Sequence, residues 1–268
     1  LVKGLFSSRI IRSERLSPSS HLVVFERPRG FPDATPGQFV SLRITPTITP
    51  LLRRPFSIMD LTATELHLLV KVVGSGSEIL ARAPCGTEMD IAGPLGGTVF
   101  PSPDNKDAVF VAGGTGLAPL IFAARTWKRG GSLGRADLVY GAGCEEELLV
   151  SLCEEDFTAV HAATIDGSCG FEGDAVALLE KLVDNGEAGG GILYSCGPGG
   201  MVRAMERKAA SGFDRHFTSL ESVMACGVGA CRGCTVPVKM DGGSVLRAIC
   251  SDGTVFDASE IDWERWEE

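Results

Sequence analysis

Over residues 1 to about 100, apolar positions come in short runs, several alternating with polar ones. Runs at 21–26, 38–44, 55–59 and 65–73 are bounded by turn residues such as Pro36-Gly37 and Gly74-Ser75-Gly76. Short β-branched or alternating runs predict strands, and many of them without a long helical period predict a small antiparallel barrel. The polar, proline-rich stretch 101–107 (PSPDNKD) then breaks the pattern. Beyond it, apolar strand runs at 108–112, 137–140, 158–163 and 191–196 are interleaved with helical periods at 117–128, 145–153, 175–183 and 199–209. That alternation predicts a parallel sheet with crossover helices. The last stretch, 217–268, holds only short strand-like pieces at 235–239 and 245–249 and an acidic end.

Composition narrows the function. The 268 residues carry 25 Lys plus Arg against 34 Asp plus Glu, a net charge of −9. That balance opposes a nucleic-acid binder, which needs clustered cations. No apolar run reaches the roughly 18 residues of a membrane span, and no basic-then-apolar leader opens the chain. The expected compartment is the cytoplasm, where cysteine clusters are more often metal ligands or catalytic thiols than disulfides.

There are nine cysteines. Four follow the pattern Cys226-x4-Cys231-x2-Cys234, then Cys250, with Gly227, Gly229 and Gly233 between the first three. This is the spacing of plant-type 2Fe–2S ferredoxins. A glycine-rich loop can wrap tightly and turn backbone amides toward the sulfurs. A zinc site, or a set of buried free thiols, is the competing reading, although zinc sites more often show two C-x2-C pairs. Cys85, Cys144, Cys153 and Cys169 have no such spacing and read as ordinary thiols.

Two further segments suggest dinucleotide chemistry. The apolar run 108–112 delivers Gly113-Gly114-Thr115-Gly116, and the run 191–196 delivers Cys196-Gly197-Pro198. Glycines after a strand let a pyrophosphate approach the backbone, and the following helix start favours an anion. The strict G-x-G-x-x-G pattern is absent, so a plain tight turn competes. The stretch 140–147 ends in three glutamates and contains no Lys or Arg. A 2′-phosphate would want cations there, so NAD is favoured over NADP; the alternative is that the glutamates merely start a helix. Arg53-Arg54-Pro55-Phe56-Ser57 offers a guanidinium fork, a ring and a hydroxyl, or else an edge strand with solvated arginines.

Taken together, Pro36-Gly-Gln-Phe39, Arg54-Pro-Phe-Ser57, Gly113-Gly-Thr-Gly116, Cys196-Gly-Pro198 and the cysteine tail with its Val255-Phe256-Asp257 ending resemble the ferredoxin-reductase superfamily. More closely, the chain resembles the electron-transfer subunits of class 1B dihydroorotate dehydrogenases. The resemblance spans essentially the whole chain and implies a multi-domain oxidoreductase. It implies an FAD-binding barrel over 1–102, an NAD-binding α/β domain over 103–216 and a 2Fe–2S domain over 217–268. It places Arg54, Pro55, Phe56, Ser57, Leu69, Val70, Lys71, Gly76 and Ser77 at FAD. Ser77 stands where many relatives have Thr, and Lys71 where Arg is frequent. Gly113, Gly114, Thr115, Gly116, Cys196, Gly197 and Pro198 would face NAD, with Cys196 near the nicotinamide and Glu221 near the flavin edge. Cys226, Cys231, Cys234 and Cys250 would hold the cluster.

The implied partner is an FMN-bearing subunit that oxidises dihydroorotate in pyrimidine biosynthesis, in a heterotetramer of two plus two. Electrons would pass through the cluster and FAD to NAD. Relatives of the same architecture serve bifurcating transhydrogenases, sulfide dehydrogenases, hydrogenases and sulfite reductases, and remain an alternative. A zinc-stapled, non-catalytic binding module is another. The all-cysteine ligand set and the Val255-Phe256-Asp257 ending favour the dihydroorotate complex.

Overall fold

The computed structural model describes residues 4–45 and 50–266. The first part of the chain contributes β1 (Gly4–Arg15), β2 (Ser20–Glu26), β3 (Phe39–Arg43), β4 (Arg54–Leu61), β5 (Glu65–Lys71), helix α1 (Ser75–Arg82) and β6 (Glu88–Leu95). The six strands close in the order β1-β2-β5-β4-β3-β6, with every pair antiparallel. Strand alternation turns Ile10, Val23, Phe25, Val40, Leu42, Ile58, Leu66, Leu68 and Val70 inward as one buried cluster. Helix α1 is absent from the sequence pattern. Ser77 Oγ initiates it, accepting from the amides of Val73 and Gly74 at 2.9 and 3.2 Å.

The middle of the chain alternates strand and helix. It runs β7 (Ala108–Gly113), α2 (Leu117–Gly130), β8 (Ala136–Ala142), β9 (Ala159–Thr164), β10 (Phe171–Glu172), α3 (Ala175–Asp184), β11 (Ile192–Gly197), α4 (Gly199–Lys208) and β12 (Arg215–Leu220). Strands β7 to β12 are parallel to their neighbours. The sheet order β10-β9-β8-β7-β11-β12 reverses direction between β7 and β11. A ligand crevice belongs outside the carboxyl ends of the strands at that reversal, and both glycine-bearing turns leave from it.

One expected helix is corrected. Residues 145–153 form two single 3₁₀ turns, Glu145–Glu147 and Val150–Leu152. The segment is held by other parts of the molecule instead of by its own ladder. The Glu145 amide donates to Ser168 Oγ at 2.8 Å, and Tyr140 Oη donates to the Glu147 carbonyl at 3.4 Å. Leu148, Leu149, Val150 and Leu152 all pack on the main core, which a single helical face could not achieve.

The last part adds the hairpin β13 (Thr235–Met240) and β14 (Gly243–Ala248), the single turn α5 (Ile249–Asp252) and β15 (Val255–Asp257). β15 pairs antiparallel with β12, so it is the edge strand of the middle sheet. The boundary expected at 216/217 falls inside β12. The core of this part also draws Phe39 and Leu95 from the barrel and Leu220 from the sheet. Trp263 and Trp266 of the acidic end are buried in it. Thr254 Oγ1 donates to the Gly37 carbonyl, and Thr98 Oγ1 to the Val255 carbonyl. The segment around β15 thereby touches all three parts. No helix among the described residues is long and apolar enough to cross a membrane.

Candidate functional site: a thiol loop beside a nucleotide cleft

The four cysteines of the tail come together as two pairs. Cys226 sits beside Cys231, and Cys250 beside Cys234. Backbone amides point at the sulfurs. Val228 and Cys231 donate to Cys226 Sγ, each at 3.4 Å, and Gly229 donates to Cys250 Sγ at 3.0 Å. These donors, Val228 first, pull the Cys226 thiol down to about 6. Burial and the Cys234 contact push Cys250 up to about 12. Gly229 requires its lack of a side chain twice over: its φ is +83°, and a Cβ would stand 2.5 Å from Ser251 Oγ.

Among the described residues, no three His, Cys, Asp or Glu side chains converge on one ion position. Two amide-lined thiol pairs fit a centre with two irons and two ligands on each, and fit a single tetrahedral zinc less well. Cys231 is exposed while Cys234 and Cys250 are buried, so one face of the loop opens outward.

The crevice predicted by the strand order is a cleft of ≈ 880 Å³ between barrel and sheet. Pro55, Phe56, Ser57, Leu69 and Lys71 form its barrel wall. Gly113, Gly114, Thr115, Pro198 and Glu221 line the sheet side. Lys71 Nζ reaches across to Glu147 at 3.7 Å, so the expected phosphate-facing cation already points into the cleft. Gly114 has φ +54° and nothing within 4 Å of where a Cβ would be, so its backbone faces open space. A Cβ on Gly116 would overlap the Cys196 carbonyl. Glycine there lets the turn after β7 close on β11.

Other expected residues stand one layer behind the surface. Val70 is fully buried in the barrel core, so only its backbone can serve a ligand. The Arg54 side chain folds over Gly76, where a Cβ would meet its Nε at 3.0 Å. The Ser77 hydroxyl is used in the turn before α1. Cys196 is enclosed beneath the cleft floor, with its Sγ 3.9 Å from Glu221 Oε1. Burial, then the Glu221 charge, raises this thiol well above its ordinary range. Gly197 presses on Gly113 and Met201.

The matches to known proteins agree with this geometry. Residues 221–262 match the family model described as the iron-sulfur cluster binding domain of dihydroorotate dehydrogenase B. A protein of Desulforamulus reducens named dihydroorotate dehydrogenase B (NAD(+)), electron transfer subunit, is 34% identical over 97% of this chain and 99% of its own length. One of the same name from Shouchella clausii is 32% identical over 94% of this chain and 96% of its own.

The chain belongs to the family of dihydroorotate dehydrogenase B electron transfer subunits.

Among solved structures, the NADH-dependent reduced ferredoxin-NADP oxidoreductase superposes with a TM-score of 0.81 at 26% identity, over 96% of this chain and 90% of that one. A ferredoxin NADP+ reductase from Neisseria gonorrhoeae shares the fold, with a TM-score of 0.63 at 18% identity over 78% of this chain and 91% of its own.

For a member of this electron transfer subunit family, the far end of the cleft is the part the sequence did not foretell. Ala142, Gly143, Ile165, Asp174 and Val176 line it, and Met201, Ala204, Met224 and Thr254 add to its walls. Asp174 caps α3 by accepting from the Ala177 amide at 2.8 Å. An Asp ahead of a helical period is a readable cap signal. Its place in the cleft depends on how the strands are ordered.

His216 sits in a buried polar constellation. Its Nε2 lies 2.7 Å from Ser195 Oγ and its Nδ1 2.8 Å from Glu206 Oε2. Those distances suit a hydrolytic triad, but Ser195 is 0% exposed. A nucleophile needs access, so the trio ties β11, β12 and α4 together.

Proposed function

We propose that this chain carries electrons between a dihydroorotate-oxidising partner and NAD, using FAD and a 2Fe–2S centre. The observation that carries the reading is the junction at the end of β12. Glu221 lines the cleft, and Cys226 follows five residues later in the amide-lined thiol loop. Five residues span at most about 18 Å when fully extended, so cleft and thiols are close neighbours. The division into barrel (1–102), nucleotide domain (103–216) and cluster domain (217–268) belongs to this reading, with β15 crossing back into the second.

Each group has residues that suit it. Cys226 and Cys231 would hold one iron, Cys234 and Cys250 the other, with the Val228, Gly229 and Cys231 amides balancing negative charge on the sulfurs. Arg54, Pro55, Phe56, Ser57, Leu69, Val70 and Lys71 would bind FAD along the barrel wall, with Gly76 and Ser77 shaping the turn behind it. Lys71 supplies positive charge toward a pyrophosphate. The amides of Gly113, Gly114, Thr115 and Gly116 lead into α2, so their partial positive charge suits the pyrophosphate of NAD. Cys196, Gly197 and Pro198 would close the nicotinamide end, where Glu221 on the cleft wall would orient the ring and the enclosed Cys196 thiol would hold Glu221 from behind. When bound, FAD and the cluster supply the exchange between one-electron and two-electron carriers.

The partner in this reading is an FMN-bearing catalytic subunit, in a complex of two plus two, in the cytoplasm. Support comes from the outward thiol face. Cys231 is exposed, and Val223, Val228 and Leu246 are exposed apolar residues of the same part of the chain. A second reading, a reductase subunit of another redox complex, is favoured by the 0.81 superposition on the NADH-dependent reduced ferredoxin-NADP oxidoreductase. Purification with native partners decides between them. The first reading expects a co-purifying subunit and dihydroorotate-dependent NAD reduction, and a complex inert to dihydroorotate but active with another donor would establish the second. Zinc without iron, and no flavin, would overturn both.

A further inference from the structure

The barrel and the nucleotide domain are joined by a charge cluster that neither cofactor site uses. Asp60, near the end of β4, is only 5% exposed. Its Oδ1 accepts from Arg129 Nη1 at 2.9 Å and its Oδ2 from Arg129 Nη2 at 2.8 Å, a two-pronged contact. The same Oδ2 accepts from Arg125 Nη1 at 3.3 Å. Arg125 is held in turn by Asp156 Oδ2 at 2.9 Å and the Leu152 carbonyl at 2.8 Å. Two cations face two carboxylates, so the cluster is neutral and its guanidinium planes are fixed.

The position of this cluster is what gives it a role. β4 begins at Arg54, carries Pro55, Phe56 and Ser57 on the barrel wall of the cleft, and reaches Asp60 three residues after Ser57. α2 begins at Leu117, just after the glycine turn on the sheet side, and reaches Arg125 two turns later. Both elements run from the cleft to the same clamp. At about 3.3 Å per strand residue and 1.5 Å per helix residue, each arm is about 10–12 Å long. On such arms a rotation of about 5° moves the far ends by about 1 Å. A misplacement of that size can cost a reaction on the order of a hundredfold. The packing between the two elements is apolar, with Phe122 of α2 buried in the barrel cluster. Apolar burial is non-directional, whereas a two-pronged guanidinium–carboxylate contact fixes angle as well as distance.

We infer that Asp60, Arg125 and Arg129 are positioning residues that set the barrel wall of the cleft against its sheet side, and so the distance over which hydride passes between nicotinamide and flavin. This rests on the proposed use of the cleft by FAD and NAD.

Two variants test it. Asp60→Asn removes the central charge, and Arg129→Met removes the two-pronged contact from a side chain that is half exposed and tolerant of change. Hydrogen exchange of the flavin-free protein should speed up in β4 and α2 together, and not in β13 and β14. In flavin-loaded protein, single-turnover flavin reduction by NADH should slow about tenfold. The primary isotope effect with 4-deuterated NADH should change, while the FAD dissociation constant holds. A purely structural role would lower the melting temperature and leave the isotope effect alone. Unchanged exchange in β4 and α2, or an unchanged reduction rate and isotope effect in both variants, overturns the clamp. Failure of the unaltered protein to bind FAD or accept electrons from NADH would instead refute the reading of the cleft, and the flavin-free exchange result would still decide whether the clamp orders the two elements.

Discussion

Cys196 Sγ lies 3.9 Å from Glu221 Oε1, with the thiol enclosed beneath the cleft and the carboxylate on its wall. Cys196 comes from β11 and Glu221 from just beyond β12, so two adjacent parallel strands supply the pair. Cys196→Ala and Glu221→Gln are each expected to slow flavin reduction by NADH about tenfold or more with FAD still bound. Stopped-flow absorbance at the flavin band checks this; a rate equal to the unaltered protein's would remove both residues from the nicotinamide site.

The thiols should separate by reactivity in metal-free protein. A thiolate, not a thiol, attacks an alkylating reagent. Cys226, drawn down to about 6 by backbone donors, is mostly ionised at pH 7.5. Cys250, pushed up to about 12 chiefly by burial, stays protonated there, as does Cys153, also pushed up to about 12 by burial. Timed labelling with iodoacetamide, read by peptide mass, should modify Cys226 well before Cys153, Cys196 or Cys250. Labelling of Cys196 at a comparable rate would contradict its enclosure.

Cluster loading should depend on all four ligands, at different structural cost. Cys231→Ala is expected to abolish iron binding yet leave the apoprotein folded, because Cys231 is exposed. Cys250→Ala should also lower apoprotein stability, by about 1 kcal/mol or more, because the residue is fully buried in the core around Trp263. Iron content and thermal melts of the two apoproteins check the contrast.

Much of this was legible beforehand. Alternation in runs such as 65–73 gave away the barrel strands, and a spacing of four and two marked the thiol loop. Helix α1 was hidden because Ser75-Gly76-Ser77 reads as turn chemistry, and only Ser77's contacts with the Val73 and Gly74 amides make it a helix start. The helix expected at 145–153 failed because Ser168 and Tyr140 capture its backbone groups from other parts of the chain. β15 was invisible at three residues, since its pairing with β12 is a tertiary fact. The far wall of the cleft, from Ile165 to Asp174, is assembled from loops whose neighbours only strand order reveals.

The glycines after β7 should not be equivalent. Gly114→Ala meets no neighbour but must hold φ +54°, which costs roughly 1–2 kcal/mol. Gly116→Ala must displace the Cys196 carbonyl and is expected to cost about 3 kcal/mol or more. Urea melts should rank the variants in that order. Gly114→Ala should still weaken NAD binding, because its methyl group points into the cleft.

Acid should loosen the edge of the sheet. Burial alone would raise the Asp257 carboxyl, but Ser259 and Arg215 outweigh it and hold the value below the usual range. A lowered folded value means this contribution is present above the unfolded carboxylate pKa of about 3.9. It is lost as pH falls through the folded value. Asp257→Asn should therefore cost about 1–2 kcal/mol at pH 7, with the gap to the unaltered protein narrowing once the pH falls below about 4. A gap that stays constant across that range would show that the charge is not the source.

β15 is made after every other strand of the described residues, yet it is the outer strand of a sheet whose first strand begins at Ala108, and Thr254 beside it reaches back to the Gly37 carbonyl. On the ribosome, the barrel and the strands up to β12 can form while the thiol tail is still in the exit tunnel, but the β12 edge stays open until the tail emerges. The tail is therefore no interchangeable cartridge. A graft of another iron-sulfur module, or a truncation ahead of Gly253, would strip a strand from the nucleotide domain and a hydrogen-bonded brace from the barrel. Evolutionary or engineered exchange of the redox tail has to carry β15 with it.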